Sequence, residues 1–345
     1  MRFFRLPIIV STICMAIAAI WGFRTGGANY VLPVLGVTAI LALMEISLSF
    51  DNAVVNATVL KNMEPKWQQR FLTLGILVAV FGMRLVFPIL IVAIASGQGM
   101  NEVTQLAVNH PEIYAAHLQS SHAAIASFGG TFLFLVFLSF LIDESKEVHW
   151  LGAIEEKIAK LHRIDYIKIL ITLGLLLGLY NYLPISAAER GTLLLSGVSG
   201  LCLFIAVESL GSFFESENSD SATVKSVKRS GVFSFVYLEL LDASFSFDGV
   251  MGALAITRDI VVIMLGLAIG ATFIRSLTVF LVQKGTLNEY VFLEHGAHYA
   301  IGALSLIMFY SIFGDVPELY TGLAGISFIV LSLISSWRYK RAPEA

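Results

Sequence analysis

Ten apolar stretches, each about as long as the roughly 20 residues a membrane-spanning helix needs, follow one another along the chain. They lie near residues 6–23, 31–60, 71–95, 121–142, 166–183, 191–212, 231–257, 260–283, 296–313 and 319–337. Few folds are open to such a pattern, because backbone amides inside hydrocarbon must be satisfied within the segment itself, and a helix does this. Composition agrees: 57% of the 345 residues are hydrophobic, 14% are charged, and the mean hydropathy is +0.81. One water-soluble core cannot hold that much apolar surface. The expected fold is all-α: a polytopic membrane protein of about ten transmembrane helices. A net charge of −3 gives no basic signature for nucleic acid. No P-loop occurs, which argues against ATP-driven pumping. Cys14 and Cys202 stand alone in apolar segments, match no paired metal or redox spacing, and read as ordinary buried residues.

Basic residues set the orientation, since cytoplasmic loops hold Lys and Arg. With the N-terminus inside, 17 basic residues are cytoplasmic, three (Arg24, Arg190, Arg258) are external, and Arg84 and Arg275 lie within spans. Both termini are therefore expected in the cytoplasm of a cell (inner) membrane protein, with the first apolar run retained as a helix rather than cleaved as a signal peptide. Between spans, Trp150 to His162 places Leu151, Ile154, Ile158 and Leu161 at helical spacing amid Glu155, Glu156, Lys157 and Lys160, which reads as an amphipathic surface helix. Glu215 to Ser230 is a polar, Ser-rich linker. Ser96 to Ser120 reads as a solvated external loop carrying Glu102, His110, Glu112 and His117, and Asp143, Glu144, Lys146 and Glu147 read as a hydrated helix end.

Two of the apolar stretches carry carboxylates that the bilayer penalises by roughly 2.5–3.5 kcal/mol each on insertion scales. The first reads Glu45-Ile-Ser-Leu-Ser49-Phe-Asp51-Asn52; the second reads Asp242-Ala-Ser-Phe-Ser246-Phe-Asp248-Gly249. The likeness continues beyond them. The next span carries Arg84 in one copy and Arg275 in the other, and the span after that carries His122 and His298. The copies are displaced by five spans, an odd number, so they cross the membrane in opposite directions. This is the inverted-repeat architecture of secondary transporters, with residues 1–183 as the first repeat and 191–345 as the second. The spans 31–60 and 231–257 are expected to run antiparallel at the centre, on interrupted helices, with Gly249 and Gly252 as the place where the second opens.

The side chains on these spans are oxygen donors. On a continuous helix Glu45, Ser49, Asn52 and Asn56 share one face while Ser47 and Asp51 share another; Glu239, Asp242 and Ser246 form the corresponding stripe. Carboxylate, hydroxyl and amide oxygens suit hard divalent cations such as Mg²⁺, Ca²⁺ and Mn²⁺. Arg84 and Arg275 need partners inside the membrane and are candidates for charge compensation or gating, against the plainer reading of a fixed ion pair. His298 with Glu294 is a candidate proton relay. Glu208 is an isolated carboxylate of undecided role.

The paired Glu-x5-Asp-Asn and Asp-x5-Asp-Gly signatures, followed by Arg-bearing spans, resemble the TerC family of integral membrane proteins, which is grouped with LysE-type exporters. The likeness runs from about Val31 to Tyr310 and includes a segment like Leu293-Glu-His-Gly-Ala-His-Tyr299 found in a longer bacterial branch. It implies efflux of Mn²⁺ or a related metal ion, with Glu45, Asp51, Asn52, Asp242 and Asp248 as matching positions. The chain differs from that pattern in its extra terminal helices and its long external segment. The combined expectation is a secondary transporter, not an enzyme, whose partners are the bilayer, a divalent metal ion and protons. Its metal set is Glu45, Ser49, Asp51, Asn52, Glu239, Asp242, Ser246 and Asp248, with no resident cofactor. Export of an amino acid or organic cation is the alternative, with Phe50, Phe245 and Phe247 as pocket walls. An intramembrane aspartyl protease fits less well, because the Gly-x-Gly-Asp surroundings of that class are missing.

Overall fold

The computed structural model describes residues 3–146, 148–164, 166–184, 186–216, 231–314 and 316–341, and every regular element among them is helical. In order these are α1 (Arg5–Gly26), α2 (Ala28–Leu48), α3 (Phe50–Leu60), α4 (Pro65–Leu77), a π-helical segment (Val78–Val86), α5 (Phe87–Ser96), α6 (Met100–Asn109), α7 (Pro111–Ser120) and α8 (His122–Ile142). Then come α9 (Ala153–Ala159) with a short 3₁₀ turn after it, α10 (Ile167–Tyr182), α11 (Ala187–Ser216), α12 (Gly231–Ile256), α13 (Ile260–Gln283), α14 (Thr286–Glu289), α15 (Leu293–Ser311) and α16 (Glu318–Arg341). Among the described residues, seven helices are long and apolar enough to cross a membrane, or eight if the bent pair Ala153–Arg163 and Ile167–Tyr182 is counted as one span. Their outer faces fit that setting. α1 exposes Ile8, Ile9, Ile13, Ile17, Ile20 and Phe23, a continuous apolar stripe that only lipid or another protein covers favourably.

Two compact units form, each from two stretches of chain: Met1–His122 with Phe235–Lys284, and Ala123–Ser234 with Gly285–Ala345. In the first unit, α1 ends and α2 begins at Gly27, whose φ of 72° with ψ of −167° is a conformation open essentially to glycine, which has no Cβ to clash. Asp259 starts α13 by accepting hydrogen bonds from the amides of Val261 and Val262, and its other oxygen accepts from the Trp21 indole at 2.8 Å. That contact ties α1 to the start of α13. A core of Leu60, Met63, Phe71, Leu238 and Val279 closes one end of the unit.

α2 and α13 pack closely where Gly266 and Gly270 stand one turn apart on α13. A Cβ on Gly266 would meet Leu41 and the carbonyl of Thr38; one on Gly270 would meet the Glu45 side chain and the carbonyl of Ala42. Small residues one turn apart allow this approach between apolar helices, whose backbones attract through packing rather than through water exclusion. Gly270→Val is therefore expected to destabilise the protein by about 1–3 kcal/mol, the usual cost of overpacking. Gly36→Val, where an added Cβ meets nothing within 4 Å, should leave it unchanged. Thermal unfolding in detergent compares the two.

Several sequence expectations change here. The interruption expected in the stretch 31–60 falls at Ser49, where φ is −100° and ψ is 16°. The break is slight, because the Ser49 amide still donates to the Glu45 carbonyl and the Ala53 amide to Ser49. α12, in contrast, runs unbroken through Gly249 and Gly252, so the second copy does not open there. The external stretch is two helices, α6 and α7, rather than a loop: Pro111 starts α7, and the Glu102 carboxylate accepts from the Gly99 amide at the start of α6. Cys14 is buried as expected, but Cys202 is exposed. The linker 217–230 lies outside the described residues.

In the second unit, Ser127 on α8 donates to the Leu193 carbonyl on α11, and the Phe292 amide at the start of α15 donates to Ser336 on α16. Gly296 lets α15 approach α16 at Ser332 and Phe328. Glu208 is no isolated carboxylate: it accepts from Lys168 at 2.5 Å.

Candidate functional site

The acidic motifs meet within the first unit. Asn56 Nδ2 lies 3.4 Å from Asp242 Oδ1, whereas a Cβ on Gly249 would touch the carboxylate of Glu45. As numbering rises from 45 to 56 it falls from 249 to 242 on the partner, so these stretches run antiparallel. Their side chains sort by residue. Ser49 donates to Glu45 Oε1 at 3.1 Å, and Ser246 lines the interior, while the first serine of each motif turns to its own helix: Ser47 bonds to the Leu43 carbonyl and Ser244 to the Leu240 carbonyl. Only the second serine of each Ser-x-Ser faces inward. Asp51 is buried, Ser47 is exposed, and the shared face expected for them is not formed.

Asp51 owes its place to the break. Ser49 opens α3, putting Asp51 in its first turn, where the carboxylate accepts the Asn52 amide at 3.0 Å and faces the positive end of the helix dipole.

Both arginines neutralise the acidic groups of the motif that precedes them. Arg84 pairs with Glu45 through Nη2 and donates Nη1 to the Ala79 carbonyl at 2.6 Å. Arg275 is held more fully: Nη2 reaches Asp242 at 2.9 Å and Glu239 at 3.0 Å, and the guanidinium lies 3.9 Å from the Phe71 ring centroid. Gly75 on α4 makes room for this second cluster, since a Cβ there would meet Glu239 Oε1 and Arg275 Nη1. Glu45 and Asp242 are the corresponding first acids of the two motifs, so the resemblance between copies extends to their ion pairs.

Between the pairs lies a cavity of about 10 Å³ for the centre of a water-sized sphere, on the order of one water molecule. It is lined by Ser49, Asn52, Arg84, Asp242, Ser246, Ala271, Ile274 and Arg275. Ser246 Oγ, Asn56 Oδ1, Glu239 Oε1, Arg84 Nε and Arg275 Nη1 are buried without hydrogen bonds among the described residues, the condition in which water or an ion is expected to complete the set. Glu45, Asp51, Glu239 and Asp242 are buried in this unit together with Arg84 and Arg275, a formal charge of −2 among the described side chains with all ionised; of these acids Asp242 lines the cavity itself. No three Asp, Glu, His or Cys side chains converge as a metal cage among the described residues. The Asp248 side chain lies outside them.

The expected relay lies in the second unit, and its chemistry centres on a different residue. His298 stacks on Phe140, with centroids 4.0 Å apart, and its Nδ1 hydrogen-bonds the Glu294 carbonyl at 2.8 Å. His295, buried beside it, reaches the Val148 carbonyl at 2.8 Å and Glu155 at 3.5 Å. Glu155, read from sequence as part of a solvated surface, is fully buried. It accepts from Lys146 at 2.6 Å and from the Leu151 amide at 3.2 Å, while Leu151 and Ile154 are exposed. Burial alone would raise its carboxyl, but the Lys146 and Leu151 hydrogen bonds and the Lys146 and His295 charges outweigh that and hold it below the usual range. Lys146 thus belongs to a buried pair rather than to a hydrated helix end. Glu144 pairs with His162, and Glu147 lies outside the described residues.

No curated protein and no solved structure matches the chain. A family model described as Protein of unknown function (DUF475) matches residues 50–343, a span that takes in Asp51, Arg84, Glu239, Asp242 and Arg275 and leaves out Glu45. With most of its length inside that match, the protein belongs to the DUF475 family.

Proposed function

We propose that this protein is a secondary transporter that exports a divalent metal cation, Mn²⁺ foremost, from the cytoplasm across the cell membrane. In this reading ten spans form two inverted repeats with both termini inside, and the likeness to TerC proteins reflects shared chemistry. The observation that carries the proposal is the antiparallel meeting of two acidic motifs, each held by an arginine from the helix that follows in its own copy. Among the described side chains the buried acids outnumber the arginines by two, the charge of one divalent cation. Asp51 has no arginine partner: its described hydrogen bond is to the Asn52 amide, and it forms no ion pair among the described residues, while Glu239 and Asp242 share the one charge of Arg275. Oxygen donors from Ser49, Asn52, Asp242 and Ser246 line the cavity and suit a hard ion. The cavity is much smaller than an amino acid or organic cation requires, which favours a metal over the alternative cargo.

Metal content by mass spectrometry tests the reading in cells lacking or overproducing the protein, with Mn²⁺, Ca²⁺, Mg²⁺ and Zn²⁺ added in turn. Overproduction should lower one of these metals in the cell, and Asp51→Asn should abolish the effect. Unchanged content of all four metals would refute metal export.

A further inference from the structure

The two arginines occupy corresponding places in the sequence but sit on different backbones. Arg275 lies in regular α-helix with two carboxylate partners and an aromatic ring beneath it. Arg84 lies in the nine-residue π-helical segment, with one carboxylate and one backbone carbonyl as partners. The cause of the wide turn is close at hand. Pro88, in the first turn of α5, has no amide to donate to the Arg84 carbonyl four residues earlier, and its ring would collide with that carbonyl in an α-helix. The ladder shifts accordingly: the Phe87 amide bonds to the Gly82 carbonyl, five residues back. The position matching Pro88 in the second copy is Val279, which keeps its amide, and the helix there is regular. Long π segments are rare and concentrate at functional sites, because a π turn and an α turn present the same side chain in different directions.

We propose that Pro88 is a positioning residue for ion transport: it widens the helix so that Arg84 sits on Glu45, and it makes that pair alone releasable, while Arg275 with Glu239 and Asp242 stays fixed. Rewinding the segment to α-helix turns Arg84 about the axis by up to roughly 100°, the angle per residue, and takes it off Glu45. The purpose assigned to Pro88 rests on the transport reading; its geometry does not, and the test avoids transport.

Full-length protein in lipid nanodiscs is unfolded thermally in two double-mutant cycles, Arg84→Gln with Glu45→Gln and Arg275→Gln with Asp242→Asn. Both cycles are expected to be non-additive in the otherwise wild-type chain, as contacting pairs are. Pro88→Ala and Pro88→Leu, which restore the amide, should make the Arg84–Glu45 cycle additive and leave the Arg275–Asp242 cycle unchanged. A coupling of Arg84 to Glu45 that survives both proline substitutions, or loss of both couplings together, overturns the proposal. Should neither proline variant fold, the wild-type cycles decide: a smaller non-additive shift for Arg84–Glu45 than for Arg275–Asp242 supports a releasable pair, and an equal or larger one overturns it. If the Arg84–Glu45 coupling responds as expected while no metal moves in cells, the transport reading fails and the role of Pro88 in placing Arg84 stands.

Discussion

Arg275→Ala is expected to destabilise the protein by about 3–5 kcal/mol, the range for removing one member of a buried ion pair. The guanidinium is almost wholly buried and holds two carboxylates at once, so its loss leaves Glu239 and Asp242 facing each other across a small cavity. It also removes the cation from the Phe71 face in the unit's core. A lysine cannot substitute, because one ammonium does not reproduce the planar fork that reaches both acids and the ring. Arg275→Ala combined with Glu239→Gln and Asp242→Asn should recover much of the loss, since the stranded charges disappear with the arginine. Thermal unfolding in detergent of the single and triple variants settles the point. An Arg275→Ala protein as stable as wild type would show that the cluster does not hold the fold.

Local hydropathy announces helices in membrane proteins, and α1, α8, α13 and α16 lie close to where the apolar stretches placed them. The acidic motifs were legible for the same reason, since a carboxylate inside such a stretch needs a partner, and Arg84 and Arg275 were the cations at hand. The antiparallel meeting followed from an odd displacement between copies. What pattern alone did not disclose depends on contacts distant in sequence. Glu155 looked solvated beside Glu156 and Lys157, yet Lys146 and His295 make its burial favourable. Pro88 offered a local signal, a proline four residues after a buried arginine, but the direction in which the helix would yield is decided by packing. The glycines at 249 and 252 suggested an opening, whereas Gly249 serves to admit Glu45 beside an intact helix. A glycine inside a membrane helix marks either a hinge or a close approach, and the neighbouring chain determines which.

Arg84→Ala and Asp51→Asn should fail in opposite ways if Glu45 and Asp51 belong to an ion path. Asp51 forms no ion pair among the described residues, so Asp51→Asn keeps the shape and the hydrogen bond to the Asn52 amide while removing charge that the metal would use. Binding of Mn²⁺ should weaken by about 2 kcal/mol or more, the scale of a lost buried interaction with a charge, and transport should fall with it. Arg84, which holds Glu45 in an ion pair, would instead compete with the metal for it on that reading. Its removal would free a carboxylate beside the cavity, so Mn²⁺ should bind more tightly, while turnover should fall because the emptied site has no internal cation to close it. A ligand moves such an equilibrium only by as much as it prefers one state over the other, and the arginine supplies that difference. Affinity on purified protein and efflux from vesicles, measured on both variants, separate the cases. Parallel loss of binding and transport in Arg84→Ala would make the arginine a structural partner of Glu45, as Arg275 is of Asp242, and would leave the path without a switch.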